Sequence, residues 1–296
     1  MTRVEFSLDL YRVFDAIWRE KSFTGAARRL YISQPAISQA AKQLEEAAGA
    51  RLFVRGSRGV TLTPEGEILR EYVSAALNLL SEGERRIAGI TRLDQGELHI
   101  GAGDTVSRWY LLPRIEKFHK MYPGVEIHMT NRTSDETVAL LKEGRLDLGF
   151  VNLPMSAQGV VFQQCIAVHD VFVAGEKYAE LKGRTVTLEE LVKYPLIMLE
   201  RASNSRRRVD RHFLENGLVP RAGIELGSHD LLADYAGIGV GIACVIREFT
   251  PSIGTEEGLF EIKLDKPVPE RGVGVCYLED ISLSAAARRF VELVKG

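Results

Sequence analysis

Residues 22–63 read SFTGAARRLYISQPAISQAAKQLEEAAGARLFVRGSRGVTLT. The stretch predicts a helix, a tight turn, a second helix and a basic hairpin. Ala26, Ala27 and Leu30 give the first helix an apolar stripe, and Tyr31-Ile32 make the turn. Ser33 can cap the second helix through its hydroxyl, and Pro35 is tolerated in a first helical turn. Ala36, Ile37, Ala40, Leu44 and Ala47 follow a helical period. That leaves Ser33, Gln34, Ser38, Gln39 and Lys42 on the outer side. Small polar groups there suit a helix pressed into a DNA major groove, where Gln bonds a base edge and Ser or Lys a phosphate. By period alone, a helical hairpin with an ordinary polar face fits equally well.

Outward from this stretch, 8–19 predicts a preceding helix with Leu10, Val13, Phe14 and Ile17 on one face. Gly49 is a C-terminal stop. Residues 52–54 and 60–62 predict two short strands, and Arg55 and Arg58 between them are placed to reach phosphates or the minor groove. Either arginine is otherwise a solvated turn residue. Thr63-Pro64-Glu65 is a helix start. The helix after it runs to about residue 89, with Ile68, Leu69, Tyr72, Val73, Ala76, Leu79, Leu80, Gly83 and Ile87 recurring at three- and four-residue steps. Residues 91–96 are polar and predict a hinge.

The head is similar to the N-terminal domain of the LysR-type transcriptional regulators. The matching residues are Leu10, Phe14, Ser22-Phe23-Thr24, Ala26-Ala27, Leu30, Ser33-Gln34-Pro35-Ala36-Ile37-Ser38, Leu44-Glu45, Gly49, Leu52-Phe53, Arg55, Leu62-Thr63 and Gly66. The resemblance implies a winged helix-turn-helix whose long helix is a dimerisation linker. It implies DNA contacts from Arg28, Arg29, Ser33, Gln34, Pro35, Ser38, Gln39, Lys42, Arg55 and Arg58. It implies a dimer, or a dimer of dimers, on double-stranded promoter DNA, with RNA polymerase a further candidate partner.

Beyond residue 95 strands and helices alternate. Strands at 98–101, 125–130 and 146–151 interleave with helices at 111–121 and 134–142, an order that implies a parallel sheet with helices on its faces. A second set spans 171–245, and a strand at 273–277 and a helix at 284–294 close the chain. The expected fold class is α/β: a winged helix-turn-helix head (1–63), a linker helix (64–90) and an effector domain (91–296). The resemblance extends here, through GELHIGAG at 96–103 and AGIGVGIA at 236–243, to the family's two-lobed effector domain, which is similar to periplasmic binding proteins. Lobe one is expected over about 95–164 plus 270–296, and lobe two over 165–269.

Ligands of open parallel sheets bind outside the carboxyl ends of the strands. Hydroxyls beside free N–H groups of a helix N-terminus make an anion site there. Thr105, Val106, Ser107, Thr133, Ser134, Asn152, Ser203 and His229 are the expected effector contacts. For the Ser and Thr residues, helix capping alone is the other reading. The family's habits imply a small anionic metabolite, a carboxylate favoured. Arg201 and Arg206–Arg208 form a basic cluster that reads first as a solvated helix start. Gly237-Ile238-Gly239-Val240-Gly241 enters a strand instead of leaving one, so it predicts a turn and no dinucleotide site.

The net charge of −2 advertises no nucleic acid, but its distribution does. Residues 1–63 hold ten basic and six acidic side chains, a net +4, which leaves −6 for the rest. Cys165, Cys244 and Cys276 lack metal or redox spacing, and the six histidines are scattered. No nucleophile elbow, phosphate loop or metal-ligand spacing points to an enzyme, a metal or a cofactor. No apolar run reaches membrane-spanning length, and a cytoplasmic location is expected. A cytoplasmic small-molecule-binding protein and a redox-sensing regulator are the alternatives.

Overall fold

The helices and strands of the computed structural model follow from a few caps and stripes; it describes residues 7–56, 59–90, 96–255 and 258–295. They form two compact units, one of residues 1–88 with 142–145, the other of residues 89–141 with 146–296.

In the first unit, α1 (Leu8–Glu20), α2 (Phe23–Leu30) and α3 (Gln34–Ala48) are followed by β1 (Phe53–Gly56) and β2 (Gly59–Leu62). Ser22 Oγ accepts the Gly25 amide at 3.1 Å and Ser33 Oγ the Ala36 amide at 3.3 Å, so each hydroxyl closes a helix start. Tyr31 turns the chain between α2 and α3 at φ 55°, and Gly49 ends α3 at φ 66°. Phe14, Ile17, Ala26, Ile37, Leu44, Leu52 and Phe53 close one core. The buried row of α3 is Ile37, Ala41 and Leu44, whereas Ala36 and Ala47, expected in the stripe, are exposed. Ala36 lies about 100° around the helix from Ile37, which turns it out of the row. Arg58 falls outside the described residues.

Thr63 Oγ1 accepts the Gly66 amide at 3.0 Å and opens α4 (Pro64–Ile90), whose 27 residues extend about 40 Å. Val73 is buried in the head core, with Leu69 and Leu77 packed against it. Ile68 and Tyr72, one turn apart, remain 62% and 73% exposed.

In the second unit, lobe one begins with β3 (Gly96–Ala102) and the single turn α5 (Asp104–Val106). A π turn at Ser107–Leu111 continues it into α6 (Leu112–Met121), β4 (Val125–Asn131), α7 (Ser134–Lys142), β5 (Leu148–Leu153) and β6 (Val160–Val168). Lobe two holds β7 (Asp170–Ala174), β8 (Thr185–Val186), α8 (Leu188–Leu191), β9 (Leu196–Leu199), α9 (Asn204–Glu215), β10 (Ala222–Leu226), α10 (His229–Gly237), β11 (Ile242–Ile246), β12 (Phe260–Glu261) and β13 (Lys263–Leu264). The chain returns to lobe one as β14 (Arg271–Leu278) and α11 (Ala285–Lys295). The sheet orders are β4-β3-β5-β14-β6 and β10-β9-β11-β7-β12.

Two expectations need correction. β6 pairs along its length with β14, from Val160↔Leu278 to Val168↔Arg271, so residues 165–168 belong to lobe one and the chain crosses after Val168. The lobe boundary was expected at 164 because the strand that pairs with β6 lies about a hundred residues further along the chain. The sheets are also mixed: β3, β4 and β5 run parallel, whereas β14 runs antiparallel to β5 and β6. Leu98, Ile100, Tyr110, Phe118, Phe150 and Phe290 form the lobe-one core, and the Tyr110 hydroxyl donates to the Val294 carbonyl at 2.7 Å, tying α11 down. The glycine run before β11 is a turn, with Gly239 at φ 75° leading into a strand buried at every position.

Gly66 is buried, and a Cβ there would lie 2.3 Å from the Leu52 carbonyl oxygen. Gly66→Ala is therefore expected to destabilise the head by about 1–3 kcal/mol, read as a lowered midpoint of urea unfolding.

Candidate functional site

The DNA-facing candidates lie on the side of α3 opposite Ile37, Ala41 and Leu44. Gln34, Pro35, Gln39 and Lys42 are exposed and Ser38 is half-buried. Gln34 Nε2 donates to Ser38 Oγ at 2.9 Å, so the amide is held across one helical turn. Lys42 lies 3.4 Å from Glu46 with most of its side chain in solvent, a pair that contributes about 0–1 kcal/mol and is readily exchanged. Ser33 caps α3. Of the two α2 arginines, Arg29 pairs with Glu20 at 3.0 Å, and Arg28 is exposed. The Arg55 guanidinium stacks 4.0 Å over the Phe23 ring, which fixes its direction one residue before the hairpin's last pair. Tyr31, which the sequence reading treated only as a turn residue, is 96% exposed beside the start of α3.

The cleft between the lobes is built around an ion pair that sequence reasoning missed. Arg271, at the start of β14, donates from Nε to Asp170 Oδ2 at 2.6 Å and from Nη2 to Asp170 Oδ1 at 2.9 Å. Their side chains are 1% and 3% exposed. Arg271 also donates to Asn152 Oδ1 at 2.5 Å and Ser205 Oγ at 3.0 Å. The Asn152 amide in turn donates to Ser134 Oγ at 3.1 Å. Ser134, Asn152, Arg271, Asp170 and Ser205 thus form one polar chain from lobe one into lobe two. The available signal was a charged residue opening each of two buried strands.

The expected effector residues divide by setting. Ser134 and Asn152 belong to that polar chain. Thr133 forms a capping box: its amide and hydroxyl donate to Glu136 Oε2 at 2.9 and 2.8 Å, and its hydroxyl accepts the Glu136 amide. Those bonds hold the Glu136 carboxyl below its usual range. This helix start therefore already carries a carboxylate. Val106 is buried in the lobe-one core, leaving only its backbone for a ligand. His229 is 3% exposed, and its Nε2 accepts the Ile246 amide at 2.8 Å. Its Nδ1 has no hydrogen-bond partner, with Asp230 at 3.7 Å. Asp170, Ser205, Arg206, His229 and Cys244 line a cavity of about 10 Å³, room for about one water. Thr105, Ser107 and Ser203 are half-buried, and Ser203 precedes α9 without capping it through its side chain.

The basic cluster is not simply solvated. Arg206 is 3% exposed and donates to Asp210, Glu225 and the Leu199 carbonyl, while Arg208 reaches the Glu270 carbonyl. Arg207 crosses the cleft to Asp135 Oδ2 at 2.6 Å and contacts Asn204. A second clasp joins Asp230 of α10 to Arg108 at 2.8 Å and to Trp109 Nε1 at 2.9 Å. Burial pushes the Cys165 and Cys244 thiols up and Cys276 to about 12, which suppresses the thiolate that redox chemistry needs.

Residues 8–67 match the family model described as bacterial regulatory helix-turn-helix protein, lysR family, and residues 91–296 match the LysR substrate binding domain. The regulator CbbR of Rhodospirillum rubrum is 30% identical over 287 residues, 96% of this chain and 94% of its own length. The transcriptional activator CmpR of Synechocystis is 30% identical over 238 residues, 80% of this chain and 78% of its own. Among solved structures, full-length CbnR complexed with its target DNA superposes with a TM-score of 0.67 at 21% identity, covering 98% of this chain and 99% of that one. No helix among the described residues is long and apolar enough to cross a membrane.

Arg271→Ala leaves Asp170 buried and unpaired, and is expected to destabilise the effector domain by about 3–5 kcal/mol in urea unfolding. Burial holds His229 below its ordinary value of 6.5. The unfolded chain therefore binds the extra proton first, and stability is expected to fall as pH drops below 6.5 toward the folded value. Thermal midpoints across that range, compared with those of His229→Gln, check the sign: the variant's profile is expected to be flatter.

Proposed function

We propose, from the premise that the chain belongs to the LysR family of DNA-binding transcriptional regulators, that paired heads hold promoter DNA and a small carboxylate is taken up between the lobes. Ile68 and Tyr72, exposed one turn apart on α4, offer a stripe for the same helix of a second copy. Two-fold pairing supplies two α3 helices for a two-fold site, and a dimer of dimers extends the contact along the promoter. The complex of CbnR with its target DNA supports this use of the head. Gln34 and Ser38 read bases; Arg28, Lys42 and Arg55 neutralise phosphates. The protein acts in the cytoplasm, on DNA accessible to RNA polymerase, and performs no catalysis of its own.

The effector reading is carried by the contrast between the two kinds of ion pair in the cleft. Arg271–Asp170 is fully buried and costly to break. Asp135–Arg207 and Asp230–Arg108 are exposed enough to contribute only about 0–1 kcal/mol each. A carboxylate effector carries the same group as those two aspartates and can replace them on Arg207 or Arg108. Thr105, Ser107 and Ser203 complete its contacts. Replacement changes how the lobes are clasped, and a coupling of about 1–3 kcal/mol suffices for regulation. The effector works only by binding one arrangement better than the other.

Lys42→Ala is expected to weaken binding to all sequences alike and reduce the salt slope by about one, whereas Gln34→Ala relaxes preference at one position of the site. Gel-shift titrations over salt and operator variants separate the two; an unchanged preference in Gln34→Ala removes its reading role. For the cleft, a thermal-shift panel of mono-, di- and tricarboxylates, with and without upstream DNA, is expected to find one that raises the midpoint. Asp135→Asn frees Arg207 and is expected to tighten that compound several-fold, while Thr105→Ala weakens it. Equal or weaker affinity in Asp135→Asn would reject the exchange of carboxylates.

A further inference from the structure

The parallel register of β3 and β4 sets Glu97 opposite Glu126 and His99 opposite His128. Alternate residues of a strand share a face, so all four side chains stand together on one side of the lobe-one sheet. The opposite face of β3 sends Leu98, Ile100 and Ala102 into the core. The histidines that look scattered in the sequence thereby become a pair. Their rings stack with centroids 4.5 Å apart and planes within 12°. His99 Nε2 lies 3.0 Å from Glu97 Oε2, and His128 Nε2 lies 3.5 Å from Glu126 Oε1. One ligand atom from each of Glu97, His99 and His128 falls within 4.8 Å of the others, and among the described residues this is the one such grouping of histidine, cysteine and carboxylate.

We propose that Glu97, His99 and His128 bind a divalent transition-metal ion on the β3–β4 face, apart from the interlobe cleft. Two imidazoles and a carboxylate are a donor set for zinc and its neighbours, with water in the fourth position. Bonds of about 2.0–2.1 Å place tetrahedral ligand atoms about 3.3 Å apart, so the two imidazoles must leave their parallel stack and turn until both ring planes meet at the ion. The strand pairing places all three Cβ atoms on one face of adjoining strands, within reach of one ion. His99 is anchored through its own amide, which donates to the buried Asp147 carboxylate at 2.8 Å. Glu126 Oε1 lies 3.5 Å from His128 Nε2, a neighbouring carboxylate of the kind that commonly orients a ligating histidine. The half-exposed histidines leave the site open to ions from solvent. A bound ion pins β3, the first strand of the effector domain, to the edge strand β4. It stabilises lobe one by mass action whether or not the cleft is filled.

The test uses the full chain with zinc or cobalt alone. Competition against a chromogenic chelator is expected to give one ion per chain. The cobalt visible spectrum is expected to lack thiolate charge-transfer bands, which distinguishes this site from the three cysteines. His128→Gln and Glu97→Gln, both on solvent-facing positions, are each expected to weaken binding about tenfold or more and to remove the metal-induced rise in thermal midpoint. His119→Gln, outside the cluster, is expected to change neither. Wild-type affinity in His128→Gln, a thiolate spectrum, equal loss in His119→Gln, or no binding at millimolar metal would each overturn the proposal.

Discussion

An arginine and an aspartate buried side by side lose so much hydration that the pair survives only if every donor and acceptor is met. Arg271 and Asp170 meet most of that condition in two parallel hydrogen bonds, with Asn152 and Ser205 each accepting one more guanidinium N–H. The pair stands where the chain passes between lobes, Asp170 on the way out and Arg271 on the way back. Each lobe contributes to it, so neither strand end can drift without exposing a bare charge to an apolar surround. Such an interaction adds little net stability over apolar packing, but it penalises every wrong arrangement of the two crossing strands.

Around this fixed point the cleft has graded strengths. The two clasps at its rim are solvated pairs of the sort water and salt exchange freely. A sensor needs that combination: a hinge that does not yield and a rim that does. The same gradation holds in the head. Ile37, Leu44, Phe14 and Phe53 are buried together in the core, while Gln34, Lys42 and Arg55 each make one exposed contact: to Ser38, Glu46 and the Phe23 ring.

Much of the head was readable from sequence because its determinants are local. Ser22, Ser33 and Thr63 cap helices within three residues of themselves, and Gly49 stops a helix where it stands. The candidate effector loops were legible as polar ends of strands, but their uses were not. Whether Ser134 caps, braces Asn152 or meets a ligand depends on a strand that arrives from far along the chain. Arg271 and Asp170 are separated by a hundred residues, and nothing near either announces the other. The placement of β6 failed for that same reason: its partner is the penultimate element. The histidine pair likewise exists only through the register of two strands, which periodicity does not supply.

Lobe one is assembled from two stretches, and β14 lies between β5 and β6 in its sheet. On the ribosome, the head and α4 emerge first, and lobe two, made from one continuous run, follows. During that time β6 has no neighbour in its own sheet, and the Phe150 side of the core waits for Phe290 of α11. Lobe one closes only once β14 and α11 have left the exit tunnel. A chain cut before β14 therefore leaves β5 and β6 without the strand that lies between them.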